Sequence, residues 1–229
     1  MILEKHTLLN LVVAAAFTIP LSNASSQERP AKRVADIVGV ALAEYEKGID
    51  ASGRLVSQLE YDEAVSFLAT ARTAAQRLSG TGADSARLAL DSISAGVSRR
   101  VPPKTLDPWR DIFLAALGAD AALDMPTKAV DLAAGERLYA QHCASCHGVR
   151  GMGDGPAGKG LNPPPPALGS PDVMRGVLPS LMYRIVSVGI EGTAMAGFST
   201  ALSPDERWSI VSYLNGLRVA DSSAMATGC

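Results

Sequence analysis

The sequence predicts an all-α fold in which a small helical bundle precedes a second helical unit with long loops. Apolar residues recur at the spacing of amphipathic helices from residue 31 to about residue 117, and no stretch has the alternation of a β-strand. Residues 148–170 are crowded with glycine and proline, which excludes helix and central strand there. A chain of 229 residues can form two small domains. We expect a bundle over 30–118, a linker over 119–128, the second unit over 129–219 and a tail over 220–229.

The first 24 residues have the pattern of a signal peptide. Lys5 gives a positive start, an apolar run extends from Leu8 to Leu21, and the small residues Ser22 and Ala24 predict cleavage after Ala24. The alternative is an uncleaved anchor, but the run is shorter than the roughly 20 residues that a spanning helix needs. We therefore expect an exported, periplasmic protein, held at a membrane only if the signal is retained or the chain continues beyond Cys229.

Apolar stripes and capping signals indicate three or four helices in the bundle. The first helix has an apolar face formed by Val34, Ile37, Val38, Ala41, Leu42 and Tyr45. The second is predicted to begin at Ser57 with a capping box to Glu60, and its stripe includes Val65 and Leu78. The third is predicted over Ala83 to Val97, and the fourth begins with Asp107 as cap and Pro108 in the first turn.

The bundle contains few groups suited to chemistry. It has no histidine or cysteine. Glu60, Asp62 and Glu63 lie close together and could bind a cation. The solvated start of a helix, where carboxylates complement the helix dipole, explains them better.

Helical signals return after the loop-rich segment. They cover Pro179 to Val188 and Ser203 to Leu217. The second of these helices has Ser203 at the cap, Pro204 in the first turn and Glu206 at the third position, which is a well-marked helix start.

The segment CASCHG at residues 143–148 allows three interpretations: a zinc site, a redox dithiol or covalent attachment of a haem. Structural zinc needs four ligands, but Cys143, Cys146 and His147 stand alone in one turn apart from the adjacent His142. A redox dithiol needs a strand-to-helix junction, whereas the preceding AAGERLYAQH is predicted to be helix. In an exported chain, Cys-x-x-Cys-His is the attachment signature of a c-type haem. We therefore predict one haem c bonded to both cysteines, with His147 as an iron ligand.

The sixth iron ligand follows by elimination. His142 is too close to the motif to reach the opposite face of the ring, which leaves a methionine thioether. The candidates are Met152, Met174, Met182 and Met195. Met152 is too near the motif, and Met182 falls within a helical stripe as a core residue. Met195 lies in the glycine-flanked GIEGTAMAGFS, whose backbone can approach a haem closely, so we predict Met195.

Residues 129–217 resemble a small class I cytochrome c in having a helix that leads into Cys-x-x-Cys-His, a glycine- and proline-rich loop, a methionine loop and a final helix. The resemblance implies that a carbonyl among Pro163 to Pro166 holds the second nitrogen of His147. It also implies that the first and last helices cross, with Gly135 and Tyr139 facing Trp208 and Tyr213. The family often has proline after the methionine, whereas Ala196 stands here.

A narrower resemblance covers most of the mature chain. EGTAMAGFSTALSPDERWSIVSYL, together with LEYDEAV in the bundle, is similar to the cytochrome-bearing periplasmic extension of some bacterial iron permeases. Those permeases carry Arg-Glu-x-x-Glu motifs in membrane helices, and this sequence has neither. The resemblance implies a redox module that works with an iron permease or another membrane electron-transfer component.

We therefore expect one-electron transfer through a haem iron held by His147 and Met195, rather than catalysis. The alternatives are a peroxidase-like enzyme or a haem-based sensor, each of which needs a distal iron position that can open. The net charge of −2 provides no basic field and excludes nucleic acid as a partner.

Overall fold

The computed structural model describes residues 29–226, so the predicted signal peptide over 1–24 and Cys229 lie outside the described residues. The prediction of an all-α fold is confirmed: the described part of the chain contains eight α-helices and no β-strand. None of these helices is long and apolar enough to cross a membrane.

Four helices form the N-terminal bundle, and α1 packs most extensively on α2. Their bounds are α1 Pro30–Gly48, α2 Gln58–Ala75, α3 Ala83–Ser98 and α4 Asp107–Leu117. The largest side chains fully buried among them are Tyr45, Phe113, Ile37, Leu90 and Ile93. The Tyr45 hydroxyl donates a 2.6 Å hydrogen bond to the carbonyl of Val101, so the polar end of this buried ring has a partner.

Two predicted features of the bundle helices were wrong in detail. Val65, which was predicted to lie in the apolar stripe of α2, is 40% exposed, and the buried positions of this helix are instead Ala64, Phe67, Leu68, Ala71 and Ala75. The cap of α4 is Leu106 rather than Asp107, because a 3-10 turn over Pro103–Leu106 runs directly into the helix.

Four further helices form the C-terminal unit. Their bounds are α5 Leu132–His142, α6 Ala144–His147, α7 Pro179–Val188 and α8 Pro204–Ala226. The capping box at the start of α8 is reciprocal. The Glu206 amide donates to the Ser203 hydroxyl, and the Ser203 amide donates to the Glu206 carboxylate at 2.8 Å.

Helices α5 and α8 cross at a glycine, as the resemblance implied. A Cβ on Gly135 would lie 2.2 Å from the backbone oxygen of Ser209, so the helices meet at backbone distance. Tyr139 and Tyr213 pack with ring centroids 5.5 Å apart. Trp208 differs from the expectation, because it stacks on Tyr183 of α7 at 4.6 Å.

Helix α7 contacts both hydrophobic cores. Met182, Tyr183 and Val186 are buried in the core of the C-terminal unit. Leu181, Ile185 and Val188, on the other side of the helix, pack against the core of the bundle. The two units therefore meet along α1 and α7.

The segment predicted as a linker contacts both units. Ala121, in a 3-10 turn over Gly118–Ala121, is buried in the core of the bundle. The Asp124 carboxylate accepts a 3.1 Å hydrogen bond from the Tyr183 hydroxyl, and its backbone carbonyl accepts from the indole of Trp208.

Candidate functional site

The two thiols and the imidazole of the CASCHG segment lie on one tight turn. Cys143 ends α5, and the single-turn helix α6 ends at His147. The amides of Cys146 and His147 both donate to the carbonyl of Cys143, at 3.1 and 2.9 Å. Both cysteines are free thiols and half-buried, and the His147 ring is buried. The three donors, at positions 143, 146 and 147, therefore lie within five residues on one helical turn.

The His147 ring is oriented by a loop carbonyl. Its Nδ1 lies 3.3 Å from the carbonyl oxygen of Pro166, one of the four prolines that the resemblance named. A carbonyl can only accept, so Nδ1 carries the proton and Nε2 carries the lone pair that can bind a metal. Burial lowers the pKa of His147, and the contact with Pro166 opposes this effect in part. The ring is therefore neutral at pH 7, as a ligand must be.

The glycine-rich loop wraps closely around this turn. A Cβ on Gly155 would lie 2.4 Å from the carbonyl oxygen of Ser145 and 2.6 Å from the carbonyl carbon of Cys146, so this position has no room for a side chain. The amide of Gly153 donates to the carbonyl of His147 at 2.8 Å. From the other side, the buried Tyr139 hydroxyl donates to the carbonyl of Gly148 at 2.7 Å. These contacts fix the backbone on both sides of His147.

Met195 lies in a loop that returns toward α5. The Met195 carbonyl accepts from the amide of Ile190 at 2.9 Å, and the Met195 amide donates to the Thr193 hydroxyl at 3.1 Å. Gly189 adopts φ +75° at the start of this loop, and a Cβ there would lie 2.5 Å from the Met195 carbonyl oxygen. The loop ends at Phe198, whose ring lies 5.8 Å from that of His142, the residue before Cys143. The end of the Met195 loop thus lies beside the residue that precedes the thiol turn.

The other candidate methionines have different surroundings. Met174 and Met182 are buried in the core of the C-terminal unit, as the stripe predicted for Met182. The Met182 sulfur also lies 2.6 Å from a guanidinium nitrogen of Arg218. Met152 is 38% exposed on the loop after the thiol turn.

The donor set fits a haem better than the two alternatives. Burial, and then the neighbouring Cys146, raise the pKa of the Cys143 thiol to about 11, whereas a redox dithiol needs a lowered pKa. Within residues 29–226 the thiol turn has no additional histidine, cysteine or carboxylate ligand close enough to complete a metal cluster. Two thiols, a neutral imidazole on the next residue and a thioether loop nearby are the groups that attach and ligate a c-type haem.

A second group of ligand-type side chains lies in the bundle. The carboxylates of Glu44, Glu60 and Glu63 approach one another within 4.8 Å, close enough to share a cation. The sequence grouped Glu60 and Glu63 with Asp62, but Asp62 accepts from Gln58 instead. Glu44 was missed because it comes from α1, and only the packing of α1 on α2 brings it to the others. Two of the three carboxylates already pair with Lys47, whose ammonium lies 2.7 Å from Glu44 and 3.9 Å from Glu60.

Comparison with protein families identifies both units. Residues 130–214 match the family described as cytochrome c oxidase, cbb3-type, subunit III. Residues 20–99 match the iron permease-associated 4-helix bundle domain, a range that includes α1 to α3. The two matches confirm the predicted order of a helical bundle followed by a cytochrome c domain.

Other comparisons add little. No curated protein gives a significant match. Among solved structures, a chain of the Kuenenia stuttgartiensis reducing HAO-like protein complex aligns at 26% identity and a TM-score of 0.39. The alignment covers 51% of this chain and 60% of that chain.

Proposed function

We propose that this chain, a cytochrome c domain preceded by an iron permease-associated bundle, is an exported monohaem electron carrier that serves iron uptake. Cys143 and Cys146 would bond the porphyrin, and His147 and Met195 would hold the iron. When bound, a haem c supplies an iron that accepts and releases one electron. As domain limits we propose residues 30–118 for the bundle and 129–219 for the cytochrome domain.

The observation that carries the proposal is the environment of the His147 ring. The ring is buried, neutral and held at Nδ1 by the Pro166 carbonyl, directly after a turn that presents two unpaired thiols. A histidine fixed in this way is a better donor through Nε2, because the second-shell carbonyl sets both the tautomer and the ring orientation.

The chain contributes rigidity around the proposed iron ligands. The Tyr139 hydroxyl and the Gly153 amide fix the backbone around His147, which limits the rearrangement that accompanies a change of charge. The Met195 loop is closed by its own backbone hydrogen bonds and contributes a soft thioether, a ligand that raises the reduction potential of a haem. With His147 and Met195 both holding the iron, a bound haem would have no free position for a substrate.

Exposed apolar side chains near the thiol turn support a role in protein-to-protein transfer. Val149, two residues after His147, is 76% exposed, and Met152 is 38% exposed. A redox partner needs this kind of small apolar contact surface. The link to iron uptake is supported by the match of residues 20–99, and the partner we propose is an iron permease or another membrane electron-transfer component.

The experiment is an absorption spectrum of the purified full-length protein, oxidised and reduced, for the wild type and two variants. We expect a c-type reduced spectrum, and in the oxidised protein the weak long-wavelength band of a methionine–iron bond. Met195→Ala should abolish the band. Met152→Ala, which removes an exposed methionine, should leave it unchanged and is the matched control.

Three other outcomes would redirect the proposal. A high-spin oxidised spectrum, with tight binding of carbon monoxide to the untreated ferrous protein, would indicate an open iron and favour the sensor. Turnover of peroxide with an electron donor would favour the enzyme. Persistence of the band in Met195→Ala would transfer the ligand role to another methionine.

A further inference from the structure

A small cleft lies between the bundle and the C-terminal unit. It encloses a cavity of about 100 Å³, lined by residues from the starts of α1 and α8, the end of α7 and the segment that joins the units. The residues that matter here are Arg29, Lys32, Asp36, Asp124, Ser187 and Arg207. The cavity volume is about three times the volume that one water molecule occupies in liquid water, so the cavity can hold a group of a few heavy atoms.

The lining has more positive than negative charge. Four cations, Arg29, Lys32, Arg184 and Arg207, share the carboxylates of Asp36 and Asp124, which is an excess of two positive charges in this cluster. Each carboxylate is shared among cations. Asp36 pairs with Lys32 at 2.7 Å and with Arg184, while Asp124 pairs with Arg29, with Lys32 at 3.5 Å and with Arg207 at 3.8 Å. The two carboxylates cannot neutralise these cations, two of which, Lys32 and Arg207, are withdrawn from water.

Arg207 has an unused donor at this cleft. Its side chain is only 5% exposed, and its guanidinium lies over the Tyr183 ring at 4.8 Å. One terminal nitrogen donates to the Ser187 hydroxyl, and the other faces Asp124. The Nε–H has no acceptor among the described residues. A buried donor without an acceptor costs free energy, and an anion in the cleft would relieve that cost.

The start of α1 reinforces the positive potential. This 19-residue helix begins at Pro30, beside Arg29, and has no acidic residue in its first turn. The N-terminus of a helix carries about half a positive charge. The positive end of α1 therefore adds to the excess of cations at the cleft.

We propose that this cleft binds a small tetrahedral oxyanion of the phosphate or sulfate type. The anion lies between Arg29, Lys32 and Arg207 and accepts hydrogen bonds from the guanidinium groups, including the Nε–H of Arg207. Because Arg29 and Lys32 belong to the bundle side and Arg207 to the cytochrome domain, the bound anion joins the two units.

The test is calorimetric titration of the full-length holoprotein with inorganic phosphate, and separately with sulfate, at constant ionic strength set by sodium chloride. Thermal unfolding is followed under the same conditions. We expect saturable binding of both anions and a rise in Tm with phosphate concentration. Arg29→Gln, which changes a half-exposed side chain, should weaken binding at least threefold. The matched control Arg175→Gln, at an exposed surface pair, should have no effect.

A substitution of Asp124, whose carboxylate lies at the centre of the cleft, tests the proposal more sharply than Arg29→Gln does. Asp124→Asn removes the group that competes with the anion for three cations while an amide oxygen remains for Tyr183, so binding should tighten at least tenfold. Asp172→Asn makes the same charge change at a residue 86% exposed and should not tighten it.

Absence of saturable binding in both the wild type and Asp124→Asn would overturn the proposal. Equal tightening in Asp124→Asn and Asp172→Asn would also overturn it, because net charge alone would then explain the effect. If Asp124→Asn does not fold, unchanged affinity in Arg29→Gln decides against the site.

Discussion

The crossing of α5 and α8 leaves no space for a side chain at Gly135, and the substitution Gly135→Ala tests this directly. The new Cβ would lie 2.2 Å from the Ser209 carbonyl oxygen and 2.7 Å from its carbonyl carbon. Ordinary contact begins at 3.4 Å, so the first of these atoms must move away by 1.2 Å, the difference between 3.4 and 2.2 Å. Both atoms are backbone, so the movement must separate the helices rather than rotate a side chain.

The expected change in the free energy of unfolding of Gly135→Ala is the difference between two opposing effects. Overpacking of a close contact costs about 1 to 3 kcal/mol, and more when backbone must shift. Replacing glycine by alanine in a helix gains about 1 kcal/mol in propensity. We therefore expect Gly135→Ala to lower the free energy of unfolding by about 1 to 2 kcal/mol. Gly216→Ala is the matched control on α8, because a Cβ there would meet nothing within 4 Å, and it should be about 0.5 to 1 kcal/mol more stable than the wild type.

The assay is urea unfolding of the oxidised holoprotein, followed by haem absorbance, which reports on the cytochrome domain, and by far-ultraviolet circular dichroism. Two signals are needed because two units need not unfold together. If Gly135→Ala gained stability as Gly216→Ala does, the close contact of the helices would be wrong.

Three further predictions concern single groups. Ser203→Ala removes the cap of α8 and should cost about 1 kcal/mol in urea unfolding. Tyr139→Phe leaves the Gly148 carbonyl without its donor, so it should cost about 1 to 3 kcal/mol and broaden the methionine–iron band, while an unchanged midpoint would contradict the bond. Burial raises the pKa of Glu44 from 4.5 to about 7, so the folded state prefers the neutral carboxyl and loses stability as pH rises through this interval. Glu44→Gln should remove this loss, on the order of 2 to 3 kcal/mol between pH 4 and pH 8 in urea midpoints, whereas the exposed control Glu46→Gln should retain it.

Local signals in the sequence predicted the helices well where no distant partner competes. Helix α7 has the predicted bounds, and the capping box of Ser203 and Glu206 forms in both directions. The box at Ser57 forms in one direction only. The Glu60 amide donates to the Ser57 hydroxyl at 3.4 Å, but the Ser57 amide donates to Gly48 of α1. Packing of α1 against α2 thus overrides half of a local motif.

Contacts between residues that are far apart in the chain could not be predicted from sequence patterns. Four consecutive prolines offered equivalent carbonyls, and only the path of the loop selects Pro166 for His147. Glu44 joins Glu60 and Glu63 through helix packing, not through spacing along the chain. Trp208 faces Tyr183 because α7 lies between the two cores. In each case the sequence shows which residue type is present, but the residue that it contacts depends on the tertiary fold.

The placement of α7 has a consequence for how the bundle can influence the cytochrome domain. Arg184 of this helix pairs with the buried Asp36 of α1, and its side chain lies so close to Gly39 that a Cβ there would be 3.1 Å away. Two residues further, the Val186 carbonyl accepts from Phe198, and the Ser187 carbonyl accepts from Ser199, which fixes the end of the Met195 loop. A shift of α1 would therefore reach the Met195 loop through one rigid helix. Helix α7 is thus the element through which the bundle contacts the end of the Met195 loop.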